Sequence, residues 1–265
     1  MTISEHPQVD EYVTFIHELA DAARTLLSER HEGSRFETKA DASPVTEFDR
    51  GVETVLRELV AERFPEHGFI GEEFAPDRAD AEFVWIADPI DGTKQFVSGI
   101  PVFTTLIALC RNGRPVVGVI DASVSQDRWL GVEGRQSTLN GNPISTSGRV
   151  AVPGATMSWS QPDRVRAEHA AGVGELGDAV AWQVFGAGSY GFGRLAAGAI
   201  DIAGYSGSFG AYDVCALVPI IEGAGGVITD GYGEPITIED PAACVAAATP
   251  ELHREVLRYF AGDRG

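Results

Sequence analysis

Cysteine is scarce in this chain: Cys110, Cys215 and Cys244 are the only three in 265 residues. An odd number at wide spacing, without a C-x-x-C pair, excludes a disulfide framework or a zinc ribbon as the organising device. Lysine is scarcer still, Lys39 and Lys94 being the only two, and 20 basic residues face 39 acidic ones for a formal charge of −19. So acidic a surface argues against nucleic acid or an anionic membrane as the main partner, and a phosphorylated ligand would need local cations to approach it. No apolar run approaches the roughly 20 residues of a membrane span. Met1 to Asp10 has neither the basic start nor the apolar stretch of a secretory signal. A cytoplasmic protein is the expectation.

What is there is ample apolar material, 44% of residues, with 31 glycines and 14 prolines to punctuate it. This composition supports a sizeable core in a mixed α/β protein. The expected organisation is a single domain over residues 1–265, with an α+β half over about 1–145 and an α/β half over about 146–265. Apolar residues at helical spacing predict a helix from Val9 to Leu27 and a second one around Val52 to Val60. Ser43 to Thr46 reads as a turn between them, after a short strand at Arg35 to Lys39. Gly68 to Ile70 and Phe83 to Ala87 read as strands, as do Thr104 to Cys110, Pro115 to Ile120 and Asp127 to Val132, with Asn112-Gly113 and Asn140-Gly141 as hairpin turns. From Val150 to Ala181 the periodicity weakens and predicts loops. Gly186 to Gly198 predicts a loop entering a helix, followed by a strand at Ile200 to Tyr205. Asp213 predicts an N-cap of a helix that runs to Glu222 with a distortion at Pro219, before a strand at Val227 to Thr229.

The placement of the acids carries the chemistry. Glu72, Glu73, Asp88, Asp91 and Asp213 fall at strand ends or helix starts beside Gly or Pro, whereas solvating acids favour the polar faces of helices. Asp88 and Asp91 with the carbonyl of Ile90 offer the hard oxygen donors that Mg²⁺ prefers. Pro89 stiffens the segment, and Gly92 and Thr93 place N–H groups at a helix start, a site favourable to phosphate. Taken singly, each has an ordinary reading as a turn, a solvated pair or an N-cap. Neither a nucleophile elbow nor a P-loop is present.

Four segments together resemble the inositol monophosphatase superfamily of Mg²⁺-dependent, lithium-sensitive phosphomonoesterases: Ser43 to Asp49, Gly71-Glu72-Glu73, Trp85 to Thr93, and Tyr212-Asp213 followed by Glu222 to Gly226. The resemblance implies a five-layer αβαβα sandwich of the inositol monophosphatase and fructose-1,6-bisphosphatase type, usually a homodimer. It implies up to three Mg²⁺ ions, with Mn²⁺ as a substitute, held by Glu72, Asp88, the Ile90 carbonyl, Asp91 and Asp213. By the same resemblance, Asp49 and Thr93 would pair and, with Glu72, orient and deprotonate the attacking water. Gly92 and Thr93 would bind the phosphate of a small phosphate ester with Lys39 nearby, and Asp91, Gly188, Ser189, Ser206 and Asp213 would line the substrate.

Further stretches resemble the histidinol-phosphate phosphatase branch, among them Gly92 to Phe96, Thr105 to Leu109, Arg128 to Gly131 and Val218 to Gly223. That branch carries acids, suited to a cationic amine, where this chain has Gly188 and Ser206. A neutral polyol, sugar or nucleoside phosphate is therefore the alternative substrate. A catalytically silent relative would have lost a metal ligand, and none is lost here.

Overall fold

Tyr12, Phe15, Ile16, Leu19, Ala23 and Leu27 form a buried stripe along α1 (Val9–Ser28), while Asp10 and Glu11 sit in its first turn, where the helix dipole favours them. This computed structural model describes residues 2–28, 36–38, 44–161, 165–207, 209–239 and 243–260. Strands β1 (Phe36–Thr38) and β2 (Pro44–Thr46) pair antiparallel. The expected turn at Pro44 to Thr46 is thus a strand, and Thr46 at its end caps α2 (Glu47–Arg63) in a capping box with Asp49.

Seven strands follow in one sheet: β3 (Gly68–Gly71), β4 (Phe83–Asp91), β5 (Thr104–Arg111), β6 (Arg114–Ala122), β7 (Asp127–Val132), β8 (Thr138–Leu139) and β9 (Asn142–Pro143), ordered in space as in sequence. Only β3 and β4 are parallel; the others pair antiparallel. Asn112 and Gly113, at φ 49° and 78°, make the hairpin turn their sequence predicts, and Asn140 and Gly141 match them at 50° and 76°. The short helix α3 (Thr93–Val97) interrupts the run between β4 and β5.

The second sheet takes β10 (Thr156–Trp159), β11 (Trp182–Phe185), β12 (Ile202–Ser206), β13 (Val227–Asp230) and β14 (Ala243–Ala247), in the order β11-β10-β12-β14-β13. The first three are mutually parallel. Helix α4 (Ala167–Ala179) connects β10 to β11, and α5 (Gly188–Ala196) connects β11 to β12. Helices α6 (Ala211–Val214) and α7 (Leu217–Gly223) precede β13, and α8 (Pro250–Phe260) closes the described chain.

The result is five layers, αβαβα. Helices α1 and α2 cover one face of the seven-stranded sheet around Trp85, Ile107 and Val119. Helices α5, α6 and α7 lie between the two sheets with Trp129, Phe192, Tyr205 and Ile220. Helices α4 and α8 back the second sheet around Met157, Trp159 and Leu252. Among the described residues no helix is long and apolar enough to cross a membrane.

Two further expectations are corrected. The weakly periodic stretch from Val150 to Ala181 holds β10 and α4; that helix buries only His169 and Leu176, so its apolar stripe is too thin to read, and Gly172 faces the backbone of Tyr259 on α8, where a Cβ would collide. The helix expected from Asp213 to Glu222 is two helices. Asp213 is the third residue of α6 rather than its cap, and its Oδ2 accepts the Gly210 N–H at 2.7 Å.

The middle layer is thin because its glycines let helix and sheet touch. A Cβ on Gly193 of α5 would sit 2.7 Å from the ring of Trp129, which is fully buried on β7. Gly193→Ala is expected to lower the unfolding free energy by about 1–3 kcal/mol, the usual cost of overpacking, as read from the urea midpoint. An unchanged midpoint would show that α5 can shift freely.

Candidate active site

In a regular strand, residues three apart point to opposite faces. Asp88 and Asp91 escape this because β4 pairs Asp88 with Leu106 but Asp91 with Thr104, so that three steps on β4 meet two on β5 and the register breaks between them. Pro89 has no N–H for the ladder, and its carbonyl accepts Thr105 Oγ1 at 2.8 Å. The Ile90 N–H turns back onto Asp88 Oδ1 at 2.9 Å. The bulge aims both carboxylates towards Asp213 of α6, and one oxygen from each of the three lies within 4.8 Å of the other two.

Burial pushes the Asp88 carboxyl well above the usual carboxylate range, and the charges of Glu72, Asp213 and Asp91 push it further. Burial raises Asp91 too, against the pull of donors from Ser189, Tyr205 and Thr104. Three carboxylates held this close, with Asp88 buried and Asp91 and Asp213 half-buried, are a poor arrangement for anions alone and a good one for a hard divalent cation. The donor set therefore fits Mg²⁺: Asp88, Asp91 and Asp213, with the Ile90 carbonyl between the first two and Glu72 just beyond the end of β3.

Glu72 is positioned by a residue that sequence reasoning missed. Glu53, fully buried on α2, accepts the Glu73 N–H at 2.7 Å and the Phe74 N–H at 3.3 Å, and pairs with Arg57 at 2.8 Å. Gly71 leaves room for that carboxylate. In the sequence, Glu53 and Arg57 look like an ordinary i,i+4 surface pair. Gln95 was also missed; its Nε2 donates to the Gly186 carbonyl at 2.7 Å and ties α3 to the loop before α5.

Asp49 is buried and its carboxyl is raised to about 6, mainly by desolvation, with the Thr46 hydrogen bonds opposing and the charges of Glu73 and Glu72 assisting. Oδ2 accepts the Thr46 N–H and hydroxyl at 2.7 and 2.5 Å, and Oδ1 has no hydrogen-bond partner. The expected pairing of Asp49 with Thr93 is not made. Thr93 Oγ1 donates to the Ile90 carbonyl at 3.1 Å instead, while the capping box holds Asp49 Oδ2 on Thr46. Gly92, at φ 93°, adopts the left-handed turn that starts α3 at Thr93, as the phosphate-binding expectation requires.

The substrate positions fare unevenly. The Ser189 N–H donates to Asp91 Oδ2 at 2.6 Å, which brings Ser189 to the site. Gly188 also borders Asp91, but at φ 54° a Cβ there would lie 2.6 Å from Asp91 Oδ2, leaving no room for an acidic side chain. Ser206 is turned away: on β12 it alternates with Tyr205, and its hydroxyl meets Nδ1 of His169 on α4 at 3.0 Å. In this chain Gly188 thus faces Asp91 and Ser206 faces His169, and their correspondence to amine-binding acids stays an expectation of the resemblance. Lys39 lies outside the described residues, while Lys94 is exposed on α3.

A model of the inositol monophosphatase family matches residues 8–262. The chain is similar to the histidinol-phosphatase of Mycobacterium tuberculosis, 35% identical over 259 residues that cover 90% of this chain and 94% of that one. It is similar to the chloroplastic bifunctional phosphatase IMPL2 of Arabidopsis thaliana, 34% identical over 261 residues, 94% of this chain and 75% of that one. Among solved structures, an inositol monophosphatase from Zymomonas mobilis aligns with a TM-score of 0.85 at 33% identity, covering 95% of this chain and 98% of that one.

The raised carboxyls fix the sign of a pH effect. Asp49 at about 6 in the fold, against 3.8 for the free group, binds more protons folded than unfolded. Its contribution is thus fully present below the unfolded value and is lost as pH rises through about 6. Mg²⁺ binding requires the ligand carboxylates ionised, so the rise in melting temperature on adding Mg²⁺ is expected to be larger at pH 8 than at pH 5.5, approaching about 2.7 kcal/mol of stabilisation at ~100 times Kd. Asp91→Asn is expected to remove that rise and nearly all turnover. Equal Mg²⁺ shifts at both pH values, or a shift retained by Asp91→Asn, would count against this metal site.

Proposed function

The chain belongs to the inositol monophosphatase family, and we propose that within it the substrate is histidinol phosphate. The family's members are Mg²⁺-dependent phosphatases, and this chain is a phosphoric monoester hydrolase of that kind. The observation that ties the activity to particular residues is the convergence of Asp88, Asp91 and Asp213. With Glu72 and the Ile90 carbonyl they would hold up to three Mg²⁺ ions, or Mn²⁺ in their place. The metal supplies neutralising charge for the phosphoryl oxygens and a lowered pKa for the attacking water.

The remaining steps belong to the protein. Gly92 and Thr93 offer backbone N–H groups at the start of α3 to the phosphate. Asp49, together with Glu72, is the proposed acceptor of the attacking water's proton, and a carboxyl at about 6 is matched to that task near neutral pH. Thr93 donates its hydrogen to the Ile90 carbonyl and keeps its oxygen lone pairs as acceptors for orienting that water.

One of the relatives supports the substrate, the histidinol-phosphatase of Mycobacterium tuberculosis at 35% identity. The uncharged Gly188 and Ser206 do not argue against a cationic substrate, since one has no room for a side chain and the other points to α4. A second reading, a neutral polyol, sugar or nucleoside phosphate, is favoured by the likeness to the Zymomonas inositol monophosphatase. Phosphate release from histidinol phosphate, inositol 1-phosphate, fructose 1,6-bisphosphate and a nucleoside monophosphate separates the two. A kcat/KM for histidinol phosphate at least about tenfold above the others is expected, equivalent to about 1.4 kcal/mol. The reverse order would establish the second reading, and hydrolysis undiminished in EDTA would overturn both.

A homodimer completes the proposal. Strand β11 is an edge of the second sheet, and its Trp182, Val184 and Phe185 are 51%, 36% and 54% exposed. Apolar side chains on an unpaired edge favour burial against a second copy. Sedimentation as a dimer is expected at micromolar concentration, with Trp182→Glu shifting it towards monomer. A monomeric wild type would overturn this part.

A further inference from the structure

The catalytic reading leaves one buried hydroxyl beside the metal ligands without a task. Tyr205, on β12, is 4% exposed. Its ring is stacked on Phe192 of α5, with centroids 5.2 Å apart and planes within 18°, and Phe209 lies against it at 5.8 Å. With the ring confined in this way, the phenol oxygen is held between the Ser160 side chain and the carboxylates of the site. Its oxygen lies 3.3 Å from Asp91 Oδ2 and 3.4 Å from Oδ1.

Asp91 needs such a restraint. It follows a bulge and precedes a left-handed glycine, so its backbone is set, but its carboxylate feels the like charges of Asp88 and Asp213 on one side and is repelled from them. Besides Thr104 on β5, the groups that hold it come from the other half of the chain. The Ser189 N–H of α5 donates to Oδ2 at 2.6 Å, and the Ser189 hydroxyl is itself fixed by Thr104, the ladder partner of Asp91. That amide is a backbone group and cannot swing. Tyr205 lies within reach of both oxygens of Asp91, beside side-chain donors from Ser189 and Thr104, so its hydroxyl helps to set the rotation of the carboxylate about its last bond.

We infer that Tyr205 is a positioning residue for the metal centre: its hydroxyl orients the Asp91 carboxylate and thereby sets Mg²⁺ affinity, without touching the substrate. This rests on the metal role proposed for Asp91. Hydrogen bonds to ligating carboxylates typically account for about 10–100-fold in metal affinity.

The test is Tyr205→Phe, which keeps the ring and removes the donor. Mg²⁺ alone is titrated against the melting temperature of the metal-free protein, and separately against turnover. The half-saturating Mg²⁺ concentration is expected to rise at least about tenfold in both titrations. At saturating Mg²⁺, KM is expected to stay within about twofold of wild type and kcat to recover. Tyr12→Phe is the control; it removes another buried phenol hydroxyl, bonded to Gln8 at 3.1 Å on α1, and should leave the Mg²⁺ response unchanged. Replacement of Tyr205 by 4-aminophenylalanine, which restores an N–H donor on the same ring, should recover most of the affinity. If Tyr205→Phe cannot be purified, the comparison runs between 4-aminophenylalanine and 4-fluorophenylalanine at 205, of similar bulk with and without a donor. A wild-type Mg²⁺ response in the donor-free variant overturns the inference. If Asp91→Asn still abolishes that response, the metal assignment stands and only the role of Tyr205 falls; if neither substitution alters it, the assignment falls as well.

Discussion

Like charges crowded into a dry place must be neutralised, and the structure is arranged around one instance of this. Asp88, Asp91 and Asp213 come within 4.8 Å of one another, and burial raises Asp88 and Asp91 before any mutual repulsion is counted. Without a cation, the cluster favours taking up protons. With one, the same desolvation strengthens every contact between ligand and metal. The surface acidity of the chain gives no hint of this, because solvated charges are screened and these are not.

The cluster draws on both sheets. Two of its carboxylates end the long buried strand β4, the third comes from α6 in the layer between the sheets, and the donors that steady Asp91 come from α5 and β12. Close packing of that middle layer is a condition for the site. Gly193 against Trp129 and Gly188 against Asp91 are places where a single added carbon would push α5 away from the carboxylate it holds. The position of α5 against the carboxylates thus depends on glycines that carry no chemistry of their own.

Much of this was legible in the order of residues. The stripe of α1, the near-continuous apolar run of β4 and the Asn-Gly turns are local patterns, and each formed as read. The metal ligands were legible because Pro and Gly flank them in a compact motif. Helix α4 was not legible, since a helix that buries only His169 and Leu176 owes its place to the neighbours it packs against. Glu53 was hidden for the converse reason: its spacing from Arg57 is that of a solvated pair, and only the fold shows it buried beneath the Glu72 loop.

The sequence by itself determined the layered α/β class and the pairing of Asp88 with Asp91 around the Ile90 carbonyl as hard oxygen donors, because these follow from residue type and short-range spacing, while the fuller ligand set rested on family resemblance. Tertiary structure decided what each side chain faces. It turned Ser206 towards His169 and left no room at Gly188, it gave Asp49 to Thr46 and Thr93 to the Ile90 carbonyl, and it placed the Tyr205 hydroxyl on Asp91, 114 residues away in the chain. Alternation along a strand and the register break at Pro89 fix these directions, and both depend on the partner strand, which no local stretch of sequence specifies.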